Sequence, residues 1–456
     1  MTVSPLERQP SVNPAAFARP YVISWNLTYR CNLACEHCYL DAGGKPLVQT
    51  ANFADRSELS TDECRKVIDD ICEFAPEALV ILTGGEPLLR RDILEIVRYA
   101  AERDLWVVVG SNGVRITENL ARILAGEGVR GLALSLDALD AEVHDGFRRV
   151  RGAWQNTVDG AGHLATAGLP FIIQTTAGAH NRGQLEEIAE FAYSELAARV
   201  WNLYFLVPTG RGQFVSDLSP ADYDDVLAAL TSIQRNYRGR MVVNAKCAPH
   251  YVRQLLAADP DSPFLKAYDG GAGGCPAGTH YMGIRPNGDV TPCPYLPVFG
   301  GNLKRSTLSE LWNDSDLFQS IRRRNDLGGR CGSCELSTVC GGCRARAFGM
   351  TGDLMAEDPL CTHEPGSFTA DQLQAFGDRT GLASLARYGE DSSTSIAWEP
   401  EAEARMKRVP AFVRGMVVRS VESHCRKNGI STVTVDELES IRARMPTPKV
   451  FGSRPS

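Results

Sequence analysis

Three cysteines, Cys31, Cys35 and Cys38, stand at Cys-x3-Cys-x2-Cys spacing in the run Thr28-Tyr29-Arg30-Cys31-Asn32-Leu33-Ala34-Cys35-Glu36-His37-Cys38-Tyr39. Three thiolates can hold three irons of a 4Fe-4S cubane and leave the fourth iron open to a small molecule. Tetrahedral zinc is the competing chemistry; it requires a fourth ligand, for which His37 is the nearby candidate. Eight further cysteines crowd the second half of the chain: Cys247, Cys275, Cys293, Cys331, Cys334, Cys340, Cys343 and Cys361. Their Cys-x2-Cys pairs suit iron-sulfur clusters or zinc ribbons. Cys64, Cys72 and Cys425 fall within helical periodicity and read as small buried apolar residues.

A scaffold has to place these groups. From about residue 21 to 245, short apolar runs alternate with helix-length amphipathic segments, the pattern of βα units around a parallel sheet. The predicted strands are Val22 to Thr28, Ala78 to Thr83, Trp106 to Gly110, Gly131 to Leu136, Phe171 to Thr176 and Trp201 to Val207. Six units predict an α/β fold with an incomplete barrel, whose chemistry belongs at the C-terminal strand ends, and the cysteine loop follows the first strand. Residues 1–20 read as an extension, 21–245 as the barrel, and 246–365 as a metal-ordered domain. Residues 366–397, with Gly389-Glu390-Asp391-Ser392-Ser393-Thr394-Ser395, read as a linker, and 398–456 as a small helical domain.

Four more motifs recur at the predicted strand ends: Thr83-Gly84-Gly85-Glu86-Pro87, Gly110-Ser111-Asn112-Gly113, Leu134-Ser135-Leu136-Asp137, and Leu206-Val207-Pro208-Thr209-Gly210-Arg211-Gly212. Together with the cysteine loop, their order resembles the radical S-adenosylmethionine (SAM) superfamily over residues 20 to 245. The resemblance implies a (β/α)6 partial barrel, a SAM-binding 4Fe-4S cluster on Cys31, Cys35 and Cys38, and reductive SAM cleavage to a 5′-deoxyadenosyl radical. It implies that Gly84, Gly85 and Glu86 hold the SAM amino group, and that Asn112, Ser135 and Asp137 orient its ribose and carboxylate. Gln174 and Asn181 flank the end of the fifth strand, the Arg211 loop falls where the family packs adenine, and His37 falls at an aromatic position against that base.

The second cysteine group is similar to a SPASM domain, the auxiliary-cluster module of many radical SAM enzymes. Arg285-Pro286-Asn287-Gly288-Asp289-Val290 reads as a hairpin turn that brings Cys275 and Cys293 together. The resemblance implies one auxiliary 4Fe-4S cluster on Cys331, Cys334, Cys340 and Cys361, and a second on Cys275, Cys293 and Cys343. Cys247 completes the second set; the alternative is an open iron there. The chain departs from the module in the two residues between Cys340 and Cys343 and in the distance to Cys247.

The tail is predicted to hold three helices, the last with Thr434 as N-cap and Glu437 at the capping-box position. It resembles the small domain ending one subunit of dark-operative protochlorophyllide reductase. With Cys340-Gly341-Gly342-Cys343-Arg344-Ala345-Arg346-Ala347, this is similar to radical SAM proteins of the alternative haem and haem d1 pathways. That implies a tetrapyrrole substrate whose propionates are oxidised or removed, with Arg344, Arg346 and Arg211 as candidate propionate partners. The resemblance also implies a low-potential electron donor such as ferredoxin or flavodoxin. A peptide-modifying maturase, or a cluster-carrying electron-transfer or scaffold protein, are the rival readings.

Bulk properties exclude other classes. With 48 basic and 55 acidic side chains, a net charge of -7 and no basic block, nucleic acid is not expected as a partner. No apolar run reaches membrane-spanning length, and the first twenty residues lack the apolar core of a secretory signal. Fourteen cysteines without an export signal predict reduced thiols in the cytoplasm.

Overall fold

The computed structural model describes residues 17–48, 54–215, 218–262, 264–265, 274–377, 396–407, 409 and 411–444. Most of the expected N-terminal extension, and the whole of residues 389–395 in the expected linker, lie outside the described residues.

One ten-stranded sheet organises the chain. Its strands are β1 (Val22–Asn26), β2 (Leu79–Thr83), β3 (Trp106–Ser111), β4 (Leu132–Ser135), β5 (Phe171–Ala177), β6 (Val200–Phe205), β7 (Val242–Lys246), β8 (Tyr281–Ile284), β9 (Asp289–Thr291) and β10 (Gly301–Asn302). Their order is β10-β9-β8-β1-β2-β3-β4-β5-β6-β7. Pairing is parallel from β8 through β7, and antiparallel for β8 with β9 and β9 with β10. The six expected strands thus form in sequence order. Two further strands flank these six: β7 extends the sheet beyond β6, and β8 adds to the free side of β1.

Alternation along the strands sets two faces. Ile23, Trp25, Val80, Leu82, Leu203 and Phe205 enter the main core under the helices. The other residues of each strand therefore turn to the concave side, among them Ser24, Asn26, Gln174, Asn202 and Tyr204. Helix α1 (Thr61–Phe74) illustrates the local logic. Ser60 and Glu63 form a capping box at its start, and Cys64, Val67, Ile68 and Ile71 recur on its buried face.

The turn predicted at Arg285–Val290 is the β8–β9 hairpin, and Gly288 there has φ +92°. Ties back to the barrel are extensive: Leu308 N–H donates to Asp70 on α1, and the Trp312 indole donates to the Phe17 carbonyl. In the tail, helices Pro400–Lys407, Ala411–Lys427 and Val435–Arg444 pack around Ala402, Val421, Cys425, Val433 and Ile441. The Thr434 hydroxyl caps the last helix by accepting from Glu437 N–H at 3.1 Å. No helix among the described residues is long and apolar enough to cross a membrane.

Candidate functional site

The Cys31–Cys38 loop lies at the C-terminal end of β1, clamped from three sides. The segment after β2 runs alongside its approach: Gly85 N–H donates to the Thr28 carbonyl at 2.7 Å and Glu86 N–H to the Arg30 carbonyl at 2.8 Å. A Cβ on Gly85 would sit 2.2 Å from the Arg30 oxygen, so glycine is required there by the loop itself. From the loop after β6, Arg211 donates to the Cys35 and Ala42 carbonyls and pairs with fully buried Asp41 at 3.0 Å. From the segment before residue 149, the Arg148 and Phe147 carbonyls accept from Ala34 and Glu36.

Each sulfur meets a donor. Leu33 N–H points to Cys31 Sγ at 3.4 Å, Ala42 N–H to Cys38 Sγ at 3.3 Å, and the Arg148 guanidinium to Cys35 Sγ at 3.6 Å. Asn112 Nδ2 lies 3.9 Å from Cys31 Sγ. Burial pushes the Cys31 thiol up to about 12 and raises that of Cys35 as well, the Arg148 guanidinium working in the opposite direction on Cys35.

Glu86 is fully buried, accepting from Leu88 and Asn112 N–H and the Ser111 hydroxyl; burial pushes its carboxyl up to about 7. It ties the end of β2 to the end of β3. Asp137 is spent on Arg148 at 2.7 Å and on Thr176 N–H at 2.8 Å. Although burial opposes it, the Arg148 charge holds Asp137 down at about 2. The Asn181 amide bonds the Asp137 and Thr176 carbonyls, and Gln174 Nε2 donates to the Tyr204 hydroxyl at 3.2 Å. Ser135, last residue of β4, alternates onto the concave side beside Gln174 in register. His37 stacks flat on Phe147 at 4.5 Å, and Phe147 on His180 at 4.1 Å. Arg148, absent from the sequence expectation, is the group that links Asp137 to a loop sulfur; no local motif marks it.

Downstream, the eight cysteines separate into two sets. Cys247, Cys275, Cys293 and Cys343 share one small apolar cluster with Val207, Leu296 and Ala345. Cys331, Cys334, Cys340 and Cys361 line one pocket together with His250, Arg330, Asp358 and His363. Cys275 N–H donates to the Cys340 carbonyl at 2.9 Å, joining the sets. Cys247 turns into its set through a left-handed backbone, φ +58°, a conformation costing a non-glycine residue about 1–2 kcal/mol. The Arg346 guanidinium offsets this by donating to the Cys247 carbonyl at 2.8 Å.

Between the sets lies Asp358, fully buried, accepting from Cys343 N–H at 2.9 Å and Arg346 at 3.0 Å, with His250 at 3.5 Å. The arginines expected as propionate partners have other partners. Arg344 serves the Leu354 and Ala356 carbonyls, Arg346 serves Asp358 and Cys247, and Arg211 serves the cysteine loop. Each is at least nine-tenths buried.

Among the described residues, one trio of His, Cys, Asp or Glu ligand atoms lies mutually within 4.8 Å: Cys334, Glu335 and His363. The thiols of the three cysteine sets are therefore spread more widely than the ~3.8 Å between sulfurs that tetrahedral zinc with ~2.3 Å bonds requires. That spread, the N–H donors and the uncompensated burial fit polynuclear iron-sulfur clusters, and His37, stacked on Phe147, does not complete a zinc site. Cys247→Ala is expected to lower iron by up to about four per chain, or leave one labile cluster, while substrate-free SAM cleavage persists. Iron analysis and EPR matching wild type would make Cys247 a packed thiol.

Comparison with known proteins agrees in several segments. A radical SAM superfamily model matches residues 25–192, an iron-sulfur cluster-binding domain model 275–335, and a proto-chlorophyllide reductase 57 kD subunit model 398–442. The chain is 38% identical over 352 residues to an AdoMet-dependent heme synthase of Methanosarcina barkeri, covering 76% of this chain and 97% of that protein. It is 32% identical over 357 residues to a pre-heme d1 synthase of Dinoroseobacter shibae, covering 75% and 85%. Its fold matches that of Streptococcus suis SuiB bound to S-adenosylmethionine, with a TM-score of 0.61 at 21% identity over 76% of this chain and 78% of SuiB.

Proposed function

We propose, from the premise that this chain belongs to the radical SAM superfamily and is an enzyme using SAM and 4Fe-4S clusters, that it modifies a tetrapyrrole at its propionate side chains. The observation that carries the substrate is the 38% identity across nearly the whole of a protein named AdoMet-dependent heme synthase.

When bound by Cys31, Cys35 and Cys38, the cluster supplies an electron that cleaves SAM to the hydrogen-abstracting 5′-deoxyadenosyl radical. The chain's residues do the rest. The backbone of Gly84, Gly85 and Glu86 would receive the SAM amino group, and Asn112, Ser135 and Gln174 its carboxylate and ribose. Asp137 acts through Arg148, and Arg211 through the loop carbonyls, so both position the thiols. The two sets of four cysteines would hold two auxiliary clusters. Thiolate-rich sites of this kind persist in a reducing compartment, which supports the cytoplasm, where a ferredoxin or flavodoxin would serve as donor.

The test is anaerobic reconstitution followed by titration with propionate-bearing iron porphyrins. Metal analysis is expected to give about twelve irons per chain, and one porphyrin should shift its Soret band and lose propionate carbon in the presence of SAM and reductant. Turnover of a peptide with no Soret response would instead favour the maturase reading.

A further inference from the structure

Lys246 is the only charged residue in any of the eight parallel strands. It is the last residue of β7, in register with Tyr204 of β6. Trp201, Leu203, Phe205 and Val243 of these two strands enter the helix-covered core. Asn202, Tyr204, Asn244 and Lys246 therefore turn to the concave side, and the Asn244 amide donates to Asn202 Oδ1 at 3.0 Å. Lys246 is partly buried. Among the described residues it has neither a carboxylate within ion-pair distance nor a side-chain hydrogen bond, unlike the buried arginines nearby.

Its surroundings lie between the two chemistries. Tyr39 directly follows Cys38, Tyr295 lies two residues after Cys293, and their rings meet at 4.7 Å. Tyr39, Tyr204, Tyr281 and Tyr295 all keep partial exposure although they point inward. Lys246 itself precedes Cys247. Among the described residues the adjacent Cys247 is the one group of opposite charge that acts on Lys246, and no carboxylate pairs with the ammonium directly, so a carboxylate arriving on the concave side would gain a charge-assisted partner there.

We propose that Lys246 is a specificity-determining residue whose ammonium receives a carboxylate side chain of the substrate, on the concave face between the N-terminal cysteine loop and the Cys247 set. This rests on the tetrapyrrole reading above, under which that carboxylate is a propionate. It replaces Arg211, Arg344 and Arg346 in that role.

The experiment titrates reconstituted wild type, Lys246→Gln and Lys246→Arg with iron coproporphyrin and with its methyl ester, following the Soret band alongside iron content. Wild type should bind the acid about tenfold or more tighter than the ester, as expected for a charge-assisted pair. Lys246→Gln should lose that preference by weakening acid binding alone, and Lys246→Arg should keep most of it. A wild-type protein that binds acid and ester equally overturns the proposal, as does a Lys246→Gln protein of normal iron content that still prefers the acid. In both cases porphyrin binding leaves the tetrapyrrole reading standing. If wild type binds neither compound, that reading fails and the assignment of Lys246 falls with it.

Discussion

Replacing Cys31, Cys35 and Cys38 together with alanine is expected to abolish 5′-deoxyadenosine formation, leaving product below detection under conditions where the wild type turns over. The loop itself should survive, because what holds it is backbone and arginine. Arg211 grips the Cys35 carbonyl, Arg148 pairs with Asp137, and Glu86 N–H bonds the Arg30 carbonyl. None of these contacts passes through a thiol. The downstream cysteines are held by their own local packing, so iron should fall from about twelve to about eight per chain rather than to zero. Parallel measurements of iron, thermal unfolding and chromatographic product separate loss of chemistry from loss of fold. Wild-type 5′-deoxyadenosine in the triple variant would remove the assignment of this loop as the site of SAM cleavage.

The second large effect belongs to Arg346. Its guanidinium and the Asp358 carboxylate are both fully buried, and breaking such a pair on one side leaves an uncompensated charge costing about 3–5 kcal/mol. Arg346→Met removes more than a charge. The Leu206 carbonyl loses its guanidinium donor, and the Cys247 carbonyl, in its left-handed turn, is left with the longer bond from the Tyr223 hydroxyl at 3.5 Å. Denaturant unfolding of the iron-free protein should show a loss of about that size, and the reconstituted protein should lose iron from both auxiliary sets. Arg346→Lys should fall between, since an ammonium keeps the charge without the planar fork that reaches Asp358 and the carbonyls together. A variant that unfolds within about 1 kcal/mol of wild type and keeps its iron would show that Asp358 is not the hub its contacts describe.

Much of this was readable from residue order, for a physical reason. The strands β1 to β4 and β6 are short runs, mostly apolar and buried over much of their length, and β5 alternates buried with half-buried residues; both patterns stand out against amphipathic helices. The two flanking strands do not. In β7, Val242-Val243-Asn244-Ala245-Lys246 places polar residues on one face, and β8 carries Gly283, so neither reads as a buried strand. The pairing of β8 with β1 also joins residues about 260 positions apart, which no local pattern announces. The cysteine sets were legible because the ligand chemistry is confined to one residue type. The arginines were not, because a guanidinium on a loop looks the same in sequence whether it faces water or is buried among carbonyls. Arg148 and Asp358 acquire their places only when distant segments pack.

The position of β1 in the middle of the sheet has a consequence for the order in which the molecule is made. One neighbour, β2, follows within sixty residues, but the other, β8, pairs Tyr281 with Val22 and leaves the ribosome on the order of tens of seconds later. Throughout that interval the first strand has an open edge, although every segment that clamps the Cys31–Cys38 loop, the last of them carrying Arg211, has already been made. Docking of β8 is a late step that completes the sheet around a loop already held by earlier segments.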